Sequence, residues 1–359
     1  MNLKALAIFA STIIGVGIFG LPYVAVKIGF LPFILYFLIT SLVVIGLNIL
    51  LGKISLGTKT KARIPGYVAK YLGKKWGYFC LLVSGLALIG ALTSYLIIGG
   101  RFIGLLLSIP ELLAVLIYFS LGSFLIFRGI RAIALVELLL LILLTLILFG
   151  FLFKSIPTFK LHNLTWFNSL ALWPIGAIIF SLWGLALVPE IKEMVKSQKK
   201  LNLVIISGII IAVIYYLIFS FIIVGICGEN TPEDALSGLD SYPTFQTAML
   251  IFGILTTFTS FISLGLTLKK ILWYDFGIPK NFSWILSCFI PLALYLAGLK
   301  SFIALISVTG GIFLASEGIL VLFTYLSFKK QSRVNLYFKQ KFKNPARHRL
   351  WLRPWQASG

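Results

Sequence analysis

Ser11-Thr-Ile-Ile-Gly15-Val-Gly17-Ile-Phe-Gly20-Leu-Pro22 is the stretch on which the fold turns. It sits in the middle of an uncharged run between Lys4 and Lys27, long enough for a helix to cross roughly 30 Å of hydrocarbon. Three glycines and a proline weaken that helix at its centre, and unwound peptide groups survive inside a membrane only where they line a cavity. The run lacks the small-residue exit of a signal peptide and leads directly into another apolar run, so it predicts a first membrane span. Gly15-x-Gly17-x-x-Gly20 is also the literal dinucleotide-binding pattern. Without a preceding strand, and with no acidic residue about 20 positions on, that reading is rejected.

The same weakness recurs further on. Pro174-Ile-Gly176, the segment Ser181 to Gly184, and Pro189 interrupt a second apolar run, and Gly184 follows Gly17 by close to half of a ten-helix unit. Matched interruptions at the start of two halves point to an inverted-repeat transporter. Glycine also packs membrane helices closely, which would account for any one of these positions alone.

Composition agrees. Of 359 residues, 60% are hydrophobic and 11% charged, and the mean hydropathy is +1.05. These values exclude a separate soluble catalytic domain. Charged residues then mark off ten spans. Long uncharged runs lie between Lys27 and Lys53 and between Lys75 and Arg101, with shorter ones from Glu111 to Arg128 and from Glu137 to Lys154. The sixth span is expected from Trp166 to Pro189, the seventh over Leu201–Gly228, the eighth from Thr244 to Leu268, the ninth between Lys280 and Lys300, and the tenth from Ser301 to Phe328. Residues 1–328 thus form the transmembrane domain, with helices 1–5 over about 4–153 and helices 6–10 over about 166–328. Residues 329–359 form a basic cytoplasmic tail.

With the N-terminus in the cytoplasm, 26 of the 31 lysines and arginines fall on the inner side and five outside, as the positive-inside rule requires. Trp76, Trp166, Trp273 and Trp284 fall near span ends, the place of an aromatic belt. The net charge of +21 is therefore mainly topology, and nucleic-acid binding is not expected. The expected setting is the cell (plasma) membrane, multi-pass, with both termini cytoplasmic. Cys80, Cys227 and Cys288 are far apart in apolar runs, so neither a disulfide framework nor a metal pair is indicated. His162 and His348 lie in an outer loop and the tail, no nucleophile–base motif appears, and an enzyme is not expected.

The Ser11–Pro22 string resembles the first-helix signature of the amino acid–polyamine–organocation superfamily, nearest its amino acid/auxin permease branch and the bacterial aromatic amino acid permeases. Phe180-Ser-Leu-Trp-Gly184 with Val188-Pro-Glu190 resembles that family's broken sixth helix, and Thr259-Ser-Phe261 its eighth. The likeness spans about residues 3–328. Many members carry an eleventh helix, for which no further apolar run appears here. The resemblance implies an all-α leucine-transporter-like fold of ten helices in a 5+5 inverted repeat, with helices 1 and 6 broken. It implies secondary active, cation-coupled transport of amino acids by alternating access. A non-transporting amino acid sensor on the same fold is the alternative.

A zwitterion needs donors for its carboxylate and acceptors for its ammonium, and broken helices offer both. By resemblance, amides around Val16 and Gly17, flanked by Thr12 and Gly15, would hold the carboxylate. Carbonyls near Phe180, Ser181, Trp183 and Gly184 would hold the amine. Tyr95, mid-span, would add a hydroxyl, or else bond a neighbouring carbonyl as interior tyrosines do. The sodium-coupled relatives use a hydroxyl pair that matches Thr259 and Ser260, beside the carbonyls of Ser11 and Ile14. Serine and threonine also bond their own helix in membranes. No cofactor beyond a possible sodium ion is expected. Glu137 is the first carboxylate candidate for proton coupling, with pairing to Arg131 as its structural alternative, and Glu317 is the second. The partners expected are an amino acid and the lipid bilayer. The sequence leaves the oligomeric state open.

Overall fold

The computed structural model describes residues 3–58, 62–129 and 134–343, and of residues 134, 135, 137, 275 and 332–343 the backbone alone. The chain begins with α1 (Leu3–Ile13) and α2 (Gly17–Ile28), bent by 52° across residues 14–16. Then come α3 (Phe30–Gly57), the short α4 (Ile64–Leu72), α5 (Lys74–Leu107), α6 (Glu111–Arg128) and α7 (Ala134–Ser155). The second half opens with another interrupted element, α8 (Trp173–Leu182) and α9 (Val188–Met194). It continues through α10 (Gln198–Cys227), α11 (Pro243–Lys270), α12 (Lys280–Leu296), α13 (Phe302–Val308) and α14 (Ala315–Lys343). Among the described residues eight helical segments are long and apolar enough to cross a bilayer, the bent pair α1–α2 makes a ninth, and α12 is a shorter apolar helix. No strand occurs among them.

Burial ranks these helices. The most apolar window of α5 is 78% buried and that of α7 only 28%, so α5 runs through the middle of the bundle and α7 along its edge. On α3, Leu35, Leu38, Ile39 and Leu42 are exposed, a surface suited to lipid. Small residues let α5 take its central place. A side chain on Gly99 would enter the ring of Tyr118, and one on Gly100 would enter Val115, both on α6.

Several features differ from the expected ones. The sixth span starts at Trp173, because residues 165–169 are used to tie down the corner between α2 and α3. Phe30 N–H donates to Thr165 O at 2.8 Å, Leu31 N–H to Trp166 O at 3.0 Å, and Asn168 N–H to Ile28 O at 3.0 Å. Gly29 makes this possible, with φ of +91° and with the Cα of Phe167 only 2.7 Å from where its Cβ would stand. Pro174, expected to disrupt the span, instead lies in the first turn of α8, and Pro189 in the first turn of α9. Proline is tolerated there because first-turn amides have no helical acceptor. The last helix runs to Lys343, past Phe328, and between α13 and α14 it takes a π-helical turn over Thr309–Leu314.

That turn lies where α8 crosses. A Cβ on Gly176 would strike the carbonyl of Ser307, and one on Gly310 would strike the carbonyl of Gly176, so the backbones touch. Gly176→Leu should lower stability by about 1–3 kcal/mol, read as a fall in melting temperature of the purified protein. Gly46→Ala on α3, where a Cβ meets nothing within 4 Å, should leave the melting temperature unchanged or slightly raised.

Candidate functional site: two helix breaks at one cavity

The break in the first span is built from backbone. The last helical bond of α1 is Ile14 N–H to Ala10 O at 2.9 Å, after which Gly15 N–H folds back to Ile13 O at 2.7 Å. α2 resumes with Ile18 N–H to Gly15 O at 3.4 Å and Phe19 N–H to Val16 O at 3.2 Å. The amides of Val16 and Gly17 thus sit at the start of α2, where first-turn donors have no partner in the helix and the dipole favours an anion. In the second half, Trp183 takes an extended conformation (φ −75°, ψ 107°) after α8, and Gly184 opens the 3₁₀ turn Leu185–Leu187 that leads into α9.

Tyr216 of α10 joins the two. Its hydroxyl lies 2.6 Å from Ile13 O and 2.8 Å from Ser181 O, so one buried O–H serves the freed carbonyls of both breaks. Gly17 packs directly on Ser181, whose Cβ would stand 2.7 Å from a Cβ on residue 17. The breaks are therefore in van der Waals contact with each other. The sequence reading assigned Gly17 to a carboxylate and missed Tyr216, one tyrosine among many in an uncharged run with no motif around it.

The breaks face a cavity offering about 90 Å³ to the centres of water-sized spheres, well above the roughly 10–15 Å³ that one water needs. Thr12, Gly15, Val16, Gly17, Tyr95, Phe180, Ser181 and Trp183 all line it. Gly184 does not. A Cβ there would stand 2.9 Å from Phe9 and 3.0 Å from Ile13, so its lack of a side chain serves helix packing. Tyr95 is buried, with its hydroxyl 3.0 Å from where a Gly15 Cβ would be. Ala87, Leu88, Ala91, Leu264 and Leu314 make most of the remaining wall apolar.

The cavity runs from the breaks towards Arg63, Pro65, Pro189 and Ile271. Arg63 is paired there with Glu190 at 3.0 Å. At the other end the way is filled. Phe19 and Phe102 meet edge to face at 4.8 Å, and Gly253 lies against both rings. Beyond them Leu236 and Leu239 are fully buried, and the loop that carries them is pinned by Arg101 to Asp234 at 3.2 Å and by Ser237 N–H to Asp234 at 3.0 Å.

The hydroxyls of α11 fall differently from expectation. Thr256 donates to Ile14 O at 3.3 Å, and Ser260, one turn on, places its oxygen 3.8 Å from a Gly15 Cβ. Thr259 turns to its own helix, donating to Thr256 O at 3.1 Å. Ser11 bonds Ile8 O at 3.3 Å and Thr12 bonds Ile8 O at 2.7 Å. The structure thus brings Thr256 and Ser260 to the break, with the carbonyl of Ile14 between helices. These oxygens are the set that a small hard cation would use. The side chain of Glu137 lies outside the described residues, as does Arg131. Glu317 is buried in the cavity wall, accepting from Ser84 and, at 3.0 Å, from the indole of Trp183. Lys269, missed by the sequence reading, is buried and donates to Ile126 O at 2.9 Å and Phe127 O at 3.1 Å, capping the C-terminal end of α6.

Solved structures share this fold. MhsT in complex with L-phenylalanine is 17% identical, with 89% of this chain and 88% of that one covered and a TM-score of 0.70. A nucleobase-cation-symport-1 family transporter, closed with bromovinylhydantoin bound, is 14% identical over 89% of this chain and 76% of that one, at 0.68. The Eremococcus coleocola manganese transporter, in complex with an aromatic bis-isothiourea substituted compound, is 14% identical over 90% and 74%, at 0.61. At these identities the likeness is one of fold. A comparison with curated proteins by sequence finds no match.

Paired helix breaks around a cavity within a leucine-transporter-like bundle define a secondary transporter rather than an enzyme. The model of the tryptophan/tyrosine permease family matches residues 2–343, and the chain belongs to that family. It is a secondary amino acid transporter of the membrane.

The clamp across the breaks can be tested directly. Tyr216→Phe removes one hydroxyl, which takes the side-chain donor from Ser181 O and leaves Ile13 O with Gly15 N–H alone, and should cost about 1–3 kcal/mol of stability. Substrate affinity should fall while the protein stays monodisperse, measured by calorimetric titration beside thermal melting. Unchanged binding in Tyr216→Phe would show that the breaks hold their shape without the clamp.

Proposed function

We propose that this protein carries an aromatic amino acid of the tryptophan or tyrosine type across the cell membrane by alternating access, coupled to a cation. Two freed helix ends facing one apolar cavity are the observation that carries this reading. First-turn amides at Val16 and Gly17 supply donors for a carboxylate, and the carbonyls of the α8 break supply acceptors for an ammonium. The carbonyl of Ser181 keeps a second lone pair beside the bond from Tyr216. Phe180, Trp183 and the aliphatic wall suit an aromatic ring.

Ten spans with both ends in the cytoplasm complete the proposal, and the 26 to 5 division of cations supports it. On that orientation the cavity reaches the inner face at Arg63 and is sealed outside by Phe19 and Phe102, so this conformation is inward-facing. A sodium ion, if it is the coupled cation, would lie among Ile14 O, Thr256 and Ser260, with Thr259 as an outer support.

Counterflow decides between a carrier and a sensor on the same fold. Proteoliposomes preloaded with unlabelled tryptophan should accumulate labelled tryptophan; binding without accumulation would make the protein a sensor. For topology, a cysteine at Ser237 should react with an impermeant reagent from outside and one at Ser332 should not. For the ion, Thr256→Val should weaken sodium-dependent substrate binding about ten- to a hundredfold at low sodium, with recovery at high sodium. Indifference of the wild type to sodium would remove that site from the cycle.

A further inference from the structure

Glu317 is 4% exposed, lines the cavity from α14, and has only neutral hydrogen-bond partners. Ser84 of α5 donates to its Oε1, and Trp183 Nε1 donates to its Oε2 at 3.0 Å. Among the described residues no lysine or arginine forms an ion pair with it; the two pairs found are Arg63–Glu190 and Arg101–Asp234. An ionised carboxyl buried in this way bears its desolvation cost without a compensating charge, and binding a proton relieves it.

Its partners suit both protonation states. An indole N–H only donates, whereas a serine hydroxyl donates or accepts. With the carboxylate ionised, both donate to it. With the carboxyl protonated, the new O–H donates to the Ser84 oxygen while Trp183 still donates to Oε2. Neither state leaves a buried polar atom without a partner, which is what a group that titrates in every cycle requires.

Several other ionisable groups on the surrounding elements have partners of their own. Cys80, one turn before Ser84 on α5, has its sulfur 3.9 Å from the Ser84 oxygen. On α4, Tyr67 bonds Ser55 at 3.0 Å and Tyr71 bonds Thr58 at 2.8 Å. Lys53 of α3 stands 5.6 Å from the ring centroid of Tyr325, Lys192 of α9 donates to Thr58 O at 3.5 Å, and Arg63 at the cavity mouth is taken by Glu190.

Glu317 is also joined to the substrate cavity at a definite point. Trp183 is the residue at which α8 unwinds, so the indole bonded to the carboxyl belongs to the break itself. Ser84 and Tyr95 are separated by about 16 Å along the axis of α5, which puts the carboxyl at a different level of the cavity from the Tyr95–Gly15 contact. We propose that Glu317 is the proton-carrying group of this transporter. It takes a proton from water when the cavity opens outward with substrate and returns it to water when the cavity opens inward. Trp183 ties its charge state to the shape of the α8–α9 break. The assignment rests on the transporter reading above.

The test uses the full chain in proteoliposomes with tyrosine as substrate and a pH-sensitive dye in the lumen. Wild-type tyrosine influx should acidify the lumen, and a pH gradient alone should drive accumulation. Glu317→Gln keeps an acceptor for Trp183 and cannot cycle a proton, so it should lose both effects and retain tyrosine counterflow. Proton-driven accumulation that survives in Glu317→Gln overturns the proposal. So does a wild type that follows sodium and ignores pH. Absence of counterflow in the wild type is a different result, which refutes carrier activity and takes this assignment with it.

Discussion

The structure depends on one buried hydroxyl. Unwinding a helix inside a membrane frees carbonyls that water cannot reach, and each left alone carries a desolvation cost. Tyr216 answers for Ile13 and Ser181 together, from a third helix that is itself continuous. Because one phenol is shared, the two breaks are held at the same depth and at a fixed separation. Gly17 then closes the gap by letting the backbone of α2 rest on Ser181. What emerges is a pair of opposed helix ends with amides on one side and carbonyls on the other, supported without any charged side chain.

Around this pair the bundle is organised by close backbone contact. In hydrocarbon the hydrophobic effect does not press helices together, so packing and interhelical hydrogen bonds carry the association. Gly176 against Ser307 and Gly310, Gly99 against Tyr118, and Gly100 against Val115 are the places where α8 and α5 approach their neighbours. The π-turn at Thr309–Leu314 lets the last span yield at the α8 crossing while remaining helical. Closure is uneven. Aromatic rings and the loop pinned by Asp234 fill one end of the cavity, whereas at the other end Arg63 and Glu190 form a partly solvated pair of the kind that contributes little to stability. The bundle thus has one packed end and one lightly latched end.

Much of this was legible in the chain before any coordinates. Uncharged runs as long as a bilayer is thick set the class of protein, because only helices of that length cross it with their backbone satisfied. The first break was readable at Gly15-Val-Gly17, where weak helix formers fall in mid-membrane. The second was readable in Ser181–Gly184 but not in Pro174 or Pro189. A proline is a disruption only where its missing N–H matters, and at the first turn of α8 and α9 it does not.

Tertiary structure alone decided which groups meet. Thr256 rather than Thr259 reaches the carbonyl of Ile14, since the choice among neighbouring hydroxyls depends on the rotation of α11 about its axis, which uniform apolarity does not encode. Tyr216 carries no local signature, and its role exists only because residues 13 and 181 converge on it. Residues 166–169, uncharged and so counted within the expected sixth span, are recruited with Thr165 to the α2–α3 corner by backbone hydrogen bonds that no hydropathy pattern contains. Glu317 stood out in the sequence as a carboxylate within a span. That its partners are Ser84 and Trp183, both remote along the chain, follows from the packing of α14 against α5 and the α8 break. Length and polarity are properties of a segment and can be read from it. Contact belongs to pairs, and only the assembled bundle sets it.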